Sequence, residues 1–264
     1  MLSYQHIYHA GNLADVQKHA LLAWMLAYLT RKDKPLSYIE THAGRGLYQL
    51  DAPEAVKTGE AEQGITRILA GQSLAADHPL HRALSETRKQ HGEAAYPGSP
   101  LVAASLLRSG DAMHFAELHP QENAALRAAL KPSKAKVHQQ DGFELAPSLA
   151  PPAPRRGLML IDPSYEVKTD YARIPGIIGQ LHKKWNVGVI ALWYPILKDG
   201  SHTQMLKALE AQRLPDALRH EVSFPPVREG HRMVGSGMFV VNAPYGAAEE
   251  AARISALFDA VSRK

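Results

Sequence analysis

Gly157-Leu158-Met159-Leu160-Ile161-Asp162-Pro163-Ser164-Tyr165-Glu166 decides how the rest of the chain is read. Leu158 to Ile161 is apolar at every position and too short for a helix, the pattern of a parallel strand buried on both faces. Pro163 has no N–H to add to a ladder, so the strand ends there. The residues after Ile161 then lie at the carboxyl edge of a sheet, where open α/β folds bind ligands. A carboxylate, a rigid turn and an aromatic ring arrive at that edge together.

This trio suits chemistry on an exocyclic amine. The lone pair of such an amine is delocalised into its base, which makes it a poor nucleophile. Two acceptors, the Asp162 carboxylate and the Pro163 carbonyl, can hold both N–H groups and turn the lone pair toward an electrophile. Tyr165 can stack on the base. The plainer alternative has Asp162 capping a turn and Tyr165 packing in the core, and for an isolated D-P-x-Y it carries more weight. The rest of the chain has to decide.

The chain has 264 residues, 45% of them hydrophobic and 21% charged, enough for one large domain or two small ones. It has no cysteine, which removes disulfides, thiolate chemistry and Cys-ligated zinc, and fits a reducing compartment such as the cytoplasm. No apolar run reaches the roughly 18 residues of a membrane span, and no leader pattern opens the chain. A net charge of +4 permits a nucleic-acid partner without requiring one. The 14 His form no H-E-x-x-H pattern, so no catalytic metal is expected.

Taken in order, the chain opens with a polar, aromatic segment. It then gives a helix over Leu13–Leu29, capped by Asn12 or Gly11, with Val16, Ala20, Ala23, Trp24 and Ala27 on its apolar stripe. Lys18 and His19 lie on that helix and read, by pattern, as a solvated flank. Leu36–Glu40 is a first strand, followed by Thr41-His42-Ala43-Gly44-Arg45-Gly46. This small-residue loop lets backbone N–H groups approach a ligand. It is an incomplete G-x-G-x-x-G, since Gln49 takes the third place. About 50–95 reads as a helical insertion, too long for a simple crossover. Ser99 is placed as an N-cap with Pro100 at the first helical position. Strands follow at Asp111–Leu118, with the acid Glu117 near its end, and at Lys136–Gly142, ending in Asp141-Gly142. Glu117 suits ribose hydroxyls, and Asp141 suits an adenine amine. Pro147–Arg156 reads as a loop. The fifth strand, Val187–Tyr194, is expected to stop at Pro195. Two further strands cover Leu218–Phe224 and Gly237–Asn242, with helices over Arg173–Lys184, Thr203–Gln212 and Ala247–Val261. The basic segment Arg228–Arg232 lies between those last two strands and suits phosphate contacts or a solvated turn.

Seven strands alternating with helices predict an α/β fold with a doubly wound, mostly parallel sheet. The order of polar strand ends resembles that of Rossmann-like S-adenosylmethionine-dependent methyltransferases. Asp162-Pro163-Ser164-Tyr165 resembles the D/N/S-P-P-Y/F/W turn of the amino-group methylating members, with Ser164 in place of the second proline. Along nearly its full length the chain resembles the bacterial 23S rRNA adenine-N6 methyltransferases of the RlmJ type. The resemblance rests on His9-Ala-Gly-Asn12, Thr41-His-Ala-Gly44, Tyr96-Pro-Gly-Ser-Pro100, Glu117-Leu-His-Pro120, Asp141-Gly-Phe143, Lys168-Thr-Asp-Tyr171, Ala191-Leu-Trp-Tyr-Pro195 and Ser236-Gly-Met238.

The resemblance implies S-adenosylmethionine as cofactor and the N6 amine of an adenosine in 23S rRNA as acceptor. It implies that His19, His42, Gly44, Ser99, Glu117, Asp141, Gly142 and Asp162, with Lys18 close by, contact the cofactor or line the reaction centre. Tyr4, His6, Lys18 and Tyr165 are placed on the substrate side, and Asp162, Pro163 and Tyr165 carry the chemistry. The polar N-terminal segment becomes a flap over the site. The expected protein is one methyltransferase domain over 1–264, cytoplasmic and monomeric, with no membrane partner. Two other readings stay open: a non-catalytic RNA-binding relative, marked by Ser164, and methylation of a protein glutamine amide. A nicotinamide dehydrogenase is least consistent, because it would need a third glycine and an acid about 20 residues past the loop.

Overall fold

Residues 157–161 are the middle strand of a seven-stranded sheet in the computed structural model, which describes residues 5–71, 73–227 and 230–262. The strands, in chain order, are β1 (Ser37–Glu40), β2 (Leu47–Gln49), β3 (Ala95–Pro97), β4 (Ala112–Ala116), β5 (Lys136–His138), β6 (Gly157–Ile161), β7 (Val189–Leu197), β8 (Leu218–Ser223) and β9 (Met233–Val241). The large sheet runs β5-β4-β1-β6-β7-β9-β8. Its first five members are parallel, while β9 is antiparallel to both β7 and β8. From β1 the chain builds outward to β4 and β5, then returns to the other side of β1 for β6. The loops after β1 and β6 therefore leave from neighbouring strands at a topological switch point.

β6 shows why an all-apolar strand is needed. Leu158 and Leu160 pack into the cluster that includes the first helix, whereas Met159 and Ile161 pack into the cluster on the opposite face. On the first face lie α1 (Leu13–Thr30), α5 (Ser99–Leu106) and α10 (Ala247–Ser262). On the second lie α7 (Gly142–Leu149), α8 (Asp170–Lys184) and α9 (Thr203–Glu210). α6 (Pro120–Ala129) connects β4 to β5.

The segment between β2 and β3 is helical: α2 (Pro53–Thr58), a wide turn at Glu62–Thr66, α3 (Arg67–Ala70) and α4 (Pro79–His91). β2 and β3 pair antiparallel at its root, a hairpin that the sequence reading did not contain. The wide turn docks on the N-terminal segment. Ile65 N–H donates to the Gly11 carbonyl at 2.8 Å, and a Cβ at Gly64 would stand 2.1 Å from that oxygen.

Four expectations are corrected. Lys18 and His19 are not a solvated flank: α1 is buried on nearly every side, and the two residues are only 4% and 1% exposed. Ser99 is the first helical residue of α5 rather than its cap, which is Gly98. A Cβ at Gly98 would meet the Tyr48 ring at 2.9 Å, so the close fit against β2 selects glycine there. Pro147 lies inside α7, where a loop was expected, because Asp141 caps the helix by accepting from Phe143 N–H at 2.7 Å. β7 continues through Pro195 to Leu197. β6 makes its last pair at Leu192, so beyond it that flank of β7 has no neighbour and a missing N–H costs no ladder bond.

Candidate active site

The carboxyl edge at the switch point opens into a cavity of about 390 Å³. Of the described site residues named from sequence, all line it: His6, Lys18, His19, His42, Gly44, Ser99, Glu117, Asp141, Gly142, Asp162, Pro163 and Tyr165. Tyr4 lies outside the described residues, as do Arg228 and Glu229 of the basic segment. Of that segment, His231 lines the cavity and Arg232 pairs with Asp199.

Asp162 leaves the end of β6 and meets α1. Lys18 Nζ donates to Asp162 Oδ2 at 2.7 Å and lies 3.0 Å from Asp15 Oδ1. Burial pulls the Lys18 ammonium down, but the two carboxylates outweigh it and hold its pKa well above the ordinary lysine value. Asp15 is itself over-determined. Burial raises its carboxyl, but His6, Lys18 and His19 bring it well below the usual range. It accepts from Gly11 N–H at 2.9 Å and lies 2.9 Å from His6 Nε2. One oxygen of Asp162 is thus engaged by a fixed cation. The carboxylate has capacity left for an amine donor beside it.

Tyr165 turns sharply after Pro163, at φ 57°, in the left-handed region that a bulky residue rarely enters. What holds it there is its hydroxyl, which donates to the Trp193 carbonyl at 2.6 Å, and its ring, packed 4.6 Å from Tyr171. Trp193 is a wall residue that the sequence reading quoted but gave no role. It lies on β7, lines the cavity, donates through Nε1 to Ser236 at 2.8 Å, and has Lys18 5.3 Å from its ring centroid.

The loop after β1 supplies the other side. Gly44 has φ 62°, and its N–H donates to Glu117 Oε2 at 2.8 Å. Glu117 Oε1 accepts from His119 N–H at 2.8 Å. Two backbone bonds fix this carboxylate at the cavity wall, each oxygen keeping a free lone pair. Burial raises its pKa above the ordinary glutamate value. Asp141 uses Oδ1 as a helix cap and so presents its other oxygen from the start of α7. A Cβ at Gly142 would lie 1.8 Å from the Thr41 carbonyl, so the loops after β1 and β5 touch there. His42 stands edge-on to Phe143 at 4.8 Å, and burial pushes its pKa down to about 4. His19 is 2.9 Å from the Tyr96 hydroxyl and is pushed down to about 3 by burial. Both imidazoles are therefore neutral at physiological pH.

Glu40, the last residue of β1, was read only as the end of a strand. It is fully buried, accepts from Ser99 Oγ at 2.5 Å and Tyr38 Oη at 2.9 Å, and is pushed up to about 8 by burial despite those bonds. A carboxylate closing an otherwise apolar strand just before a small-residue loop is the signal that marks it.

The family model described as Ribosomal RNA large subunit methyltransferase D, RlmJ, matches residues 33–261. The chain belongs to this family. Ribosomal RNA large subunit methyltransferase J of Escherichia coli K12 is 41% identical over 247 residues, covering 93% of this chain and 88% of that protein. Its Haemophilus influenzae namesake is 38% identical over 248 residues, again 93% and 88%. A crystal structure of a Legionella pneumophila protein superposes with TM-score 0.86 at 34% identity, covering 96% of this chain and 94% of that one. The chain is accordingly a methyltransferase with a Rossmann-like sheet. Among its described residues no group of three or more His, Cys, Asp or Glu could hold a metal ion, and no helix is long and apolar enough to cross a membrane.

Proposed function

We propose that this protein transfers a methyl group from S-adenosylmethionine to the N6 amine of an adenosine in 23S rRNA. The observation that carries the reading is the Lys18–Asp162 pair at the end of the central strand, facing a cavity bounded by two further fixed carboxylates, Glu117 and Asp141. The donor set fits a nucleoside cofactor. Glu117 offers lone pairs to a pair of ribose hydroxyls, and Asp141, with the small Gly142 beside it, offers one to an adenine amine. Gly44 and Ser99 border the space for the remainder.

S-adenosylmethionine supplies an electrophilic methyl on sulfur. The chain supplies position and charge. The free oxygen of Asp162 and the Pro163 carbonyl hold the two N–H groups of the target amine. Lys18 holds one Asp162 oxygen at 2.7 Å and fixes its rotamer. Tyr165, with Trp193 behind it, forms the aromatic wall against which an extruded base lies. A base must leave its stack to be modified, and RNA is read mainly where bases are already exposed. Asp162 can take a proton from the amine once methylation makes it cationic. His6 lines the cavity, and the polar N-terminal segment it belongs to is assigned the role of a flap, with Tyr4 on the substrate side by resemblance alone. We take the enzyme to act as a monomer, in the cytoplasm with its rRNA substrate. The whole chain is taken as one catalytic domain with a helical insertion at about 50–95.

The test is methyl transfer from labelled S-adenosylmethionine to 23S rRNA from a strain lacking this gene, followed by nucleoside analysis. Label in N6-methyladenosine is expected. Label in another nucleoside, or none with cofactor binding intact, rejects the reading.

A further inference from the structure

The catalytic cavity is a poor place for a polyanion to make first contact. Six carboxylates line it, Asp15, Glu117, Glu122, Asp141, Asp162 and Asp170, against Lys18 and Arg173. The cations of this protein are concentrated elsewhere.

α1 is buried from Leu13 to Ala23, but beyond that point it turns a strip to solvent: Trp24, Ala27, Tyr28 and then Arg31 are partly or fully exposed. The spacing of three, one and three residues puts them on one face. Trp24 and Tyr28 stack with ring centroids 5.6 Å apart and planes 20° apart. The Arg31 guanidinium lies 5.4 Å from the Tyr28 ring centroid. Gly246, just before α10, abuts Trp24, with the ring 3.3 Å from where a Cβ would stand, and the preceding Tyr245 is 86% exposed. The chain leaves α1 through Arg31-Lys32-Asp33-Lys34, all exposed. Arg108 donates to the carbonyls of Lys32 at 2.8 Å and Lys34 at 2.7 Å, and Arg156 donates to those of Lys34 and Leu29. These bonds bring Arg108 and Arg156 beside the turn. Five cations, Arg31, Lys32, Lys34, Arg108 and Arg156, meet two carboxylates, Asp33 and Asp111, a local excess of +3 in a chain whose formal net charge is +4.

Part of this is explained by the helix. Arg108 and Arg156 satisfy carbonyls that the end of α1 leaves free, and cations there complement its dipole. That role does not require a half-exposed aromatic stack, nor Lys32 and Lys34. Aromatic rings beside cations are what a single strand of RNA uses: bases stack on the rings whatever their sequence, and phosphates release counterions to the cations.

We infer that the exposed half of α1, the turn after it and Tyr245 form a second RNA contact surface. An unpaired base of the substrate extends the Trp24–Tyr28 stack, and Arg31, Lys32 and Lys34 hold the flanking phosphates. Trp24 to Arg31 lies roughly 9–20 Å along the helix from Lys18, a span of a few nucleotides. The surface recruits the polyanion that the acidic cavity does not attract. This inference rests on the RNA methyltransferase reading above.

The test compares wild type with Tyr28→Ala/Lys32→Glu/Lys34→Glu and, separately, with Tyr245→Ala, none of which touches the cavity. Two RNAs are used, a long 23S fragment and a short oligonucleotide holding the modified adenosine with few neighbours. Binding is read by fluorescence anisotropy across salt concentrations, and turnover by methyl transfer. For the triple variant, KM and Kd on the long RNA should rise at least tenfold, with kcat unchanged. The log–log salt slope should shrink by about two, one for each phosphate no longer neutralised. The short RNA should be handled as by wild type, which shows that the cavity is intact. Tyr245→Ala should weaken long-RNA binding several-fold with no change in salt slope. Unchanged binding of the long RNA, or equal losses on both RNAs, overturns the inference. So does an altered oligomeric state in sedimentation with RNA affinity intact, which would make the face an interface between copies. Failure of wild type to methylate any RNA would instead count against the catalytic reading, because anisotropy reports on this surface without turnover.

Discussion

In the proposed reaction Asp162 carries the chemistry, and its partner was hidden in the sequence. A D-P-x-Y turn on its own reads more readily as plain punctuation, and Lys18 lies 144 residues earlier on a helix where a lysine reads as solvated. It is buried because α1 packs against the sheet with almost no free face, so each polar side chain on it needs an internal partner. Asp162→Asn preserves shape and one acceptor but removes the charge opposite Lys18. Methyl transfer should fall on the order of 10²–10³-fold with cofactor Kd changed less than threefold, read by single-turnover assay and calorimetry. Wild-type kcat in the variant would show that the charge is not needed. Lys18→Met removes the cation between Asp15 and Asp162, leaving Asp162 without its ion-pair partner and Asp15 with His6 and the Gly11 N–H. It should cost about 3–5 kcal/mol of stability in urea denaturation. The double variant with Asp162→Asn should cost less than the two single losses added, since the residues share one interaction. Strict additivity would separate them energetically.

The elements were legible where a periodic pattern ran long enough and obscure where packing overrode it. α1, α8, α10 and the strands of the large sheet follow their apolar patterns to within a few residues. The hairpin β2–β3 was not readable, because its strands are three residues each and are separated in the chain by the whole helical insertion. α7 was missed because Pro147 resembles a breaker, whereas the Asp141 cap nucleates the helix before the proline is reached. That cap matters at the cavity. It fixes Asp141 and places Gly142 against the loop after β1, so two ligand-side loops share one contact. Gly142→Ala forces a methyl into the Thr41 carbonyl. The loops have to separate, at a cost of about 1–3 kcal/mol in stability. Cofactor affinity should drop at least tenfold while Kd for RNA stays within twofold. An alanine variant with normal cofactor affinity would show that the contact can relax without moving Asp141.

At the scale of the molecule, the same burial that makes the cavity also sets its response to pH. Of the imidazoles that burial lowers, three shift furthest: His19 down to about 3, and His42 and His220 to about 4. The unfolded chain takes up protons on these groups near pH 6.5, the folded chain only below about 4, so they favour folding above pH 6.5 and lose that contribution as pH falls toward 4. Glu40 acts in the opposite sense. Its folded pKa is raised from 4.5 to about 8, so its contribution is complete below pH 4.5 and is lost as pH rises through 8. Between pH 4.5 and 6.5 three histidines outweigh one glutamate by a net two protons, and stability should fall on acidification by on the order of 2 kcal/mol per pH unit, about 2.7 at most. Of these four groups only Glu40 still changes much above pH 6.5, so the optimum set by them lies near pH 6.5–7, with a shallower decline to pH 8. Denaturant titrations at pH 4.5, 5.5, 6.5 and 8 read this profile directly. His220 offers the cleanest control. It sits on β8 between Gln17 and Ser255, away from the cavity, and His220→Gln removes one titrating group. The acid-side slope of that variant should be shallower by roughly one proton, about 1.4 kcal/mol per pH unit at most. A profile flat from pH 4.5 to 6.5, or a variant with the wild-type slope, would mean that these imidazoles are protonated in the folded protein and that their burial does not govern its acid stability.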